Sequence, residues 1–254
     1  MGAKVISVIT QKGGVGKTTT VNALASCYHR KKYRVLGIDM DSQGNLSFSA
    51  GADNENNATI YDVMKGSVKP SFAVQHRDMC DIIPANIVLS SIELEYTGAN
   101  REYLLRNAVT QLRDLYDYIF IDAPPGLGML TVNSLTASDY VIIPMLPDIF
   151  SLQGLALVHE TIEHIKKNLN PRLQIAGIMI NKFNARSRLG NEIIGTAEMI
   201  SENLGIPIFD TKIRNSIALS EAQSLQYDCT KYSRYATGVK DYMSLCEELI
   251  AKNI

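Results

Sequence analysis

The chain has 254 residues, with 25 Lys and Arg against 26 Asp and Glu and a formal net charge of −1, which excludes a globally basic nucleic-acid binder but leaves a local basic patch open. A hydrophobic share of 46% and a charged share of 20% exclude the disordered and fibrous classes. A chain of this length buries roughly 70–75% of its unfolded surface, so it needs no disulfide or metal staple.

The N-terminus runs directly into an apolar strand, Val5–Ile9, rather than into a signal peptide. Gly2 is not followed by the Ser or Thr that myristoylation requires, since Ile6 stands there. A helical pattern then covers Thr18–Lys32, a strand Val35–Asp39, a polar surface loop Ala50–Asn57 and a strand Asp81–Pro84. A helix over Glu102–Tyr116 leads into strand Tyr118–Asp122, whose run of Tyr, Ile and Phe suits burial on both faces. Strand Tyr140–Pro144, helix Leu152–Asn168, strand Ile175–Asn181 and helix Asn191–Leu204 follow, the last stopped by Gly205-Ile206-Pro207. A short strand Pro207–Phe209 and a final helix Ser233–Lys252 complete the chain. This alternation predicts an α/β fold: a mostly parallel, twisted sheet of about seven strands with helices on both faces, in a single domain over 1–254. Cys27, Cys80, Cys229 and Cys246 lie far apart without a C-x-x-C pair, which suits free thiols in a reducing cytosol. No apolar run reaches the ~18–20 residues needed to span a bilayer, and a cytoplasmic location is expected.

The most informative stretch, Lys12-Gly13-Gly14-Val15-Gly16-Lys17-Thr18-Thr19, lies between the first strand and the first helix. That is the setting of a phosphate loop in a P-loop NTPase. Glycines let successive N–H groups turn inward toward phosphate oxygens, and the helix start adds partial positive charge. Lys17 is expected on the β/γ-phosphates and the Thr18 hydroxyl on Mg²⁺. The general pattern asks for glycine at position 11, where this chain has Gln11, and a second lysine, Lys12, stands at the mouth of the loop.

That loop resembles the deviant Walker A motif, K-G-G-x-G-K-[ST]-T, of the ParA/MinD superfamily. Two more segments fall in the order the resemblance implies. Asp39-Met40-Asp41-Ser42-Gln43-Gly44-Asn45 is similar to a D-x-D-x-Q-G-N switch I, and Ile121-Asp122-Ala123-Pro124-Pro125-Gly126 is similar to Walker B and switch II. The resemblance implies an ATPase using ATP and Mg²⁺, in which two subunits close into a nucleotide-sandwich dimer. Lys12 would reach the partner's phosphates, the alternative being a solvated surface lysine. Asp41 would support water attack, Asp39 would sit near the metal shell and Asp122 would hold Mg²⁺; strand-end turn formation is the alternative for each. By the same resemblance Asn181 would read the adenine edge, the alternative being a strand-end turn former, and the segment Pro207–Ser216 would close over the base, with Ile213 or Arg214 touching it.

Three branches compete: a ParA-type partition ATPase that binds double-stranded DNA non-specifically and is discharged by a ParB-type adaptor; a MinD-type membrane ATPase; and a kinase or amide-forming synthetase on the same loop. Glu247 and Glu248, beside Leu249 and Ile250, argue against a membrane-seeking C-terminal helix. Tyr227, Tyr232, Tyr235 and Tyr242 are too dispersed for a kinase tail and suit ordinary packing. DNA contacts are expected from Arg186, Arg188, Lys212 and Arg234. Seven basic and six acidic residues lie between Lys182 and Arg234, so only spatial segregation would make a patch. Ala218 stands where many chromosomal relatives carry a DNA-contacting arginine, and Pro144–Asp148 departs from a P-x-Q-x-E pattern. The expectation is therefore a partition ATPase that is nucleoid-associated when ATP-bound.

Overall fold

A computed structural model describes residues 2–254. Strands β1 (Lys4–Val8), β2 (Val35–Asp39), β3 (Gln75–His76), β4 (Asp81–Ile83), β5 (Tyr118–Asp122), β6 (Tyr140–Met145) and β7 (Gln174–Ile180) form one sheet in the order β3-β4-β2-β5-β1-β6-β7. Every pairing is parallel except β3 with β4. The α-helices are α1 (Lys17–Arg30), α2 (Asn45–Ser49), α3 (Ile60–Lys65), α4 (Ile92–Glu95), α5 (Leu104–Thr110), α6 (Met129–Ala137), α7 (Ile149–Asn168), α8 (Arg188–Leu204), α9 (Ile217–Ser224), α10 (Cys229–Tyr232) and α11 (Thr237–Ala251).

The two-residue period of the strands divides the core. Ile6, Val8, Val35, Tyr118, Phe120, Ile142 and Met179 pack with Leu24, Tyr28, Leu219, Tyr242 and Leu249, from α1, α9 and α11. Their neighbours point the other way: Leu36, Ile38, Ile119 and Ile121 meet α3, α5 and α6, while Val141, Ile143, Ile178 and Ile180 meet α7 and α8. Both faces are thus covered, as expected of a parallel sheet.

Several elements differ from the sequence reading, which also placed none of the short helices α2, α3, α4, α9 and α10. Pro207–Phe209 makes only a single bridge, Ile178 to Ile208, instead of a strand. Pro207 has no N–H to extend the ladder, and the next amides, of Asp210 and Thr211, donate to the Glu248 carboxylate. The seventh strand is instead the short antiparallel β3, whose Gln-His pair carries no apolar alternation. The helix expected over Glu102–Tyr116 is shorter: α5 ends at Thr110, and turns closed by i→i+3 bonds carry the chain to Leu115. Helix α6 escaped the sequence because it is buried almost all round and therefore shows no amphipathic period.

Candidate active site

Strand register assembles the site. Asp39 and Asp122, the last residues of β2 and β5, are partners across those strands, and Val8 at the end of β1 pairs with Asp122. The three motifs therefore leave adjacent strands at one edge, where open α/β sheets form their ligand crevice. A cleft of about 570 Å³ opens there, lined by Gly13, Gly14, Gly16–Thr19, Asp41, Pro125, Asn181, Lys182, Arg214–Ser216 and Leu219.

The glycine-rich turn has the backbone of an anion cradle. Gly14 and Gly16 lie at φ +74° and +98°, in the left-handed region that glycine enters without a Cβ clash. Helix α1 starts at Lys17 with Gly16 as its cap, no side chain satisfies its first amides, and its first turn carries no acid. Those N–H groups and the helix dipole can therefore receive an anion. Lys17 is only 7% exposed; burial lowers its pKa, opposed by Asp122 and Asp41.

The carboxylates divide the work. Asp39, fully buried, accepts hydrogen bonds from Asp41 N–H (3.0 Å) and from the N–H and hydroxyl of Ser47 (2.8 and 2.7 Å). It thereby ties the start of switch I to α2. Burial pushes its pKa up to about 6, against these hydrogen bonds. Asp41 is nearly buried, lines the cleft and accepts from Gln43 N–H at 3.0 Å. Asp122 differs from both: it is 0% exposed, and neither oxygen has a hydrogen-bond partner. Burial, then the adjacent Asp39 charge, drives its pKa well above the carboxylate range, while Thr18 and Lys17 pull it back. An orphaned buried carboxylate beside Thr18 is the donor set a hydrated divalent cation completes. Mg²⁺ characteristically takes one or two protein oxygens and finds the rest in water and phosphate, so the residues present fit it.

Lys12 is not free in the single chain. Its ammonium lies 2.9 Å from Asp148 Oδ2 and 5.5 Å from the centre of the Phe150 ring. Asp148 is also the N-cap of α7, accepting from Ser151 N–H at 2.9 Å. Partial burial raises the Asp148 pKa, but Lys12 and Ser151 outweigh it and leave the carboxyl below its ordinary value. Asn181 Nδ2 donates to the Val15 carbonyl at 2.7 Å, and its Oδ1 accepts from Lys182 N–H at 2.8 Å. In the ligand-free chain it straps β7 to the phosphate loop. Arg214 lines the cleft while its guanidinium holds Asp241, with Nε 2.9 Å from Oδ2.

Of the four basic residues expected at DNA, Arg186 and Arg188 are exposed at the start of α8, Arg188 lying 3.3 Å from Glu192. Lys212 joins their segment by lying over the ring of Phe183. Arg234 belongs to another group, flanking Tyr235 together with Lys240. Sequence reasoning missed Ser47, Asp148 and Lys182. An Asp three residues before a Ser at a helix start was the only available signal for Asp148.

The comparisons with known proteins agree with this geometry. A family model described as AAA domain matches residues 3–175. The chromosome partitioning protein ParA of Caulobacter vibrioides is 36% identical over 259 residues, covering 98% of this chain and 94% of that one. The sporulation initiation inhibitor protein Soj of Bacillus subtilis is 35% identical over 252 residues, covering 98% of each. Among solved structures, cobyrinic acid a,c-diamide synthase of Mycobacterium smegmatis with bound ATP analog and magnesium superimposes with a TM-score of 0.85 at 29% identity, covering 98% of this chain and 94% of that one.

Proposed function

Because the chain belongs to the ParA/MinD family of P-loop ATPases, we propose that it is an ATP-dependent DNA-partitioning ATPase whose two subunits close over nucleotide, hold DNA non-specifically and reopen on hydrolysis. The observation that carries this reading is the second lysine, Lys12, on the outer lip of a loop whose inner lysine, Lys17, already serves the cleft. One lysine suffices for phosphate binding in cis; a second at the rim suits a phosphate arriving with another subunit.

The chain's own groups then do the following. Amides of Gly13–Thr19 and the start of α1 bind the phosphates, and Lys17 neutralises charge on the β- and γ-groups. Thr18 and Asp122 would hold Mg²⁺, with Asp39 fixing the strand end beside it. When bound, the ion offsets charge building on the transferred phosphoryl group. Asp41 orients a water whose oxygen bonds to the γ-phosphorus as the bond to the β–γ bridging oxygen breaks. ADP and inorganic phosphate leave. Positioning and electrostatics supply the acceleration, so no covalent nucleophile is required.

In the presence of saturating ATP, Asp41→Ala should accumulate as a dimer in sizing or light scattering, because closure survives while hydrolysis does not. A folded, nucleotide-bound variant that stays monomeric removes the sandwich model. Adding Lys12→Ala should return the protein to monomer. The Lys12–Asp148 pair is about one-third exposed on each side, so it restrains Lys12 by no more than about 1 kcal/mol. Asp148→Asn keeps an acceptor for Ser151 N–H and should tighten the ATP dimer by about two- to fivefold. A weaker dimer in sedimentation would mean that Asp148 presents Lys12 rather than restraining it.

DNA binding should need ATP and weaken steeply with salt, by about 0.9 in log–log slope per duplex phosphate neutralised. Removing Arg186 and Arg188 together should lower that slope by about two. An unchanged slope places the contacts elsewhere, and no binding at low salt removes DNA from the reading. A ParB-type adaptor is the expected stimulator.

The packing of α11 supports the partition branch over the membrane one. Val239, Tyr242, Leu245, Cys246 and Leu249 are buried in the core against α1, and no described helix is long and apolar enough to cross a membrane. The likeness to a protein named as a diamide synthase favours one second reading, an amide-forming synthetase. ATP turnover without any added carboxylic acid or amide donor separates the two.

A further inference from the structure

Ser47 does not line the cleft and is completely buried, yet its hydroxyl joins two strand ends there. It donates to Asp39 Oδ2 at 2.7 Å and accepts from the Ala85 N–H at 2.8 Å. The Ser47 N–H donates to the same Asp39 oxygen at 2.8 Å. Asp39 Oδ1, the other carboxylate oxygen, accepts from the Asp41 N–H at 3.0 Å. A continuous chain of hydrogen bonds therefore runs from Ala85, just past the end of β4, through Ser47 and Asp39 to the backbone of Asp41.

The far end of this chain is firmly held. Ala85 is fully buried, its carbonyl accepts from Asn54 Nδ2 at 2.8 Å, and the preceding Pro84 carbonyl accepts from the Ile60 N–H. Gly44 packs against the Ala85 carbonyl, which an added Cβ would approach to 3.0 Å. Asp41, at the near end, lies beyond the last residue of β2. Its backbone is held by Asp39 at the N–H and by the Gly44 N–H at the carbonyl, the latter at 2.9 Å. Without the Ser47 hydroxyl, Ala85 N–H loses its acceptor and Asp39 keeps two of its three donors. The Asp39 carboxylate is then free to turn, and the Asp41 backbone follows it.

Resting on the hydrolytic role given to Asp41 above, we propose that Ser47 is a positioning residue for hydrolysis: through Asp39 it sets where Asp41 presents its carboxylate to the attacking water. Phosphate binding does not pass through it. The amides of Gly13–Thr19 and the Lys17 ammonium follow a different strand end, that of β1.

Ser47→Ala should lower kcat for ATP by about tenfold while KM and the affinity for Mg²⁺-ADP stay within about twofold of wild type. With saturating ATP it should accumulate as a dimer, as Asp41→Ala does. A fall in unfolding temperature accompanies a positioning and a packing role alike, so the split between kcat and binding carries the test. Ser47→Cys keeps the volume but offers only a weak donor and acceptor; it should show the same split, which guards against a misfolded Ser47→Ala. Placed in the Asp41→Ala background, either substitution should reduce the residual single-turnover release of phosphate no further, because its effect passes through Asp41. An unchanged kcat, parallel losses of kcat and ADP affinity, or a second tenfold loss in the Asp41→Ala background overturns the assignment. Asp41→Ala alone hydrolysing ATP at the wild-type rate overturns the hydrolytic reading instead, a result that involves no change at Ser47.

Discussion

Replacing Asp122 by asparagine should make the ligand-free protein more stable at neutral pH while cutting its magnesium-dependent ATP hydrolysis by about a hundredfold. The first half follows from burial. Asp122 is fully buried, unpartnered at both oxygens and next to the buried Asp39 in strand register. A buried charge that Lys17 and Thr18 compensate only in part destabilises the fold, and the amide, which mimics the protonated acid, removes it. A gain of about 1–3 kcal/mol is expected at neutral pH.

The pH dependence distinguishes this cause from a packing effect. A carboxyl whose folded pKa is raised binds its proton more tightly in the native state. Its contribution is therefore fully present below the unfolded value near 3.8 and is lost as pH rises through the folded value. Wild type and Asp122→Asn should thus unfold at similar temperatures below about pH 3.8 and diverge as pH rises toward 7. Asp39, with its pKa pushed up to about 6, contributes a slope of the same sign, and because its charge acts on Asp122 the difference between the two proteins reports the pair rather than Asp122 alone. Magnesium with ADP should reverse the order, because only the protein that holds the ion gains its binding free energy. A variant less stable than wild type at every pH would show that the buried carboxylate is compensated by contacts absent from this structure.

Gly16→Ala should abolish detectable nucleotide binding and destabilise the fold by about 2–4 kcal/mol. Two separate costs combine there. At φ +98° any Cβ is strained, and an added methyl would run into Asn181 Nδ2. Asn181 is 5% exposed and tied at both ends of its amide, to the Val15 carbonyl and the Lys182 N–H. It cannot yield without breaking the strap between β7 and the loop. For a domain of this size the loss should appear as a fall of about 4–16 °C in unfolding temperature.

Gly13 provides the control. A Cβ there meets nothing within 4 Å, and its φ lies outside the left-handed region. Gly13→Ala should keep the wild-type unfolding temperature, so any affinity it loses reports the close approach of phosphate to that backbone. Should Gly16→Ala bind ADP as wild type does and melt unchanged, the loop would not have the conformation described here.

The phosphate chemistry was legible because it depends on residue types at fixed spacing. A glycine-rich turn between an apolar strand and a helix places amides and Lys17 together by local geometry alone, and the aspartates at strand ends announce the same cleft edge. The strands of the central sheet were legible for a related reason: burial on both faces leaves continuous β-branched and aromatic runs such as Tyr118–Ile121. Where burial erased the pattern, as in α6, or the element was two residues long, as in β3, nothing periodic remained to read. Pro207–Phe209 looked like a strand by composition, but the Glu248 carboxylate, thirty-eight residues beyond Asp210, captured the amides that a ladder would have used.

What the sequence by itself determined is the kind of site: a phosphate loop with a second lysine, two acid-bearing strand ends and a sheet to carry them. Tertiary structure alone decided how the charges are shared. It leaves Asp122 without a partner while engaging Asp39 with Ser47, holds Lys12 against Asp148, and turns Lys182 back onto Gly14. The reason is physical. Spacing along the chain specifies which groups leave a strand end, but whether a carboxylate or an ammonium is satisfied depends on partners 8 to 168 positions away, brought within 3.2 Å by sheet order and register.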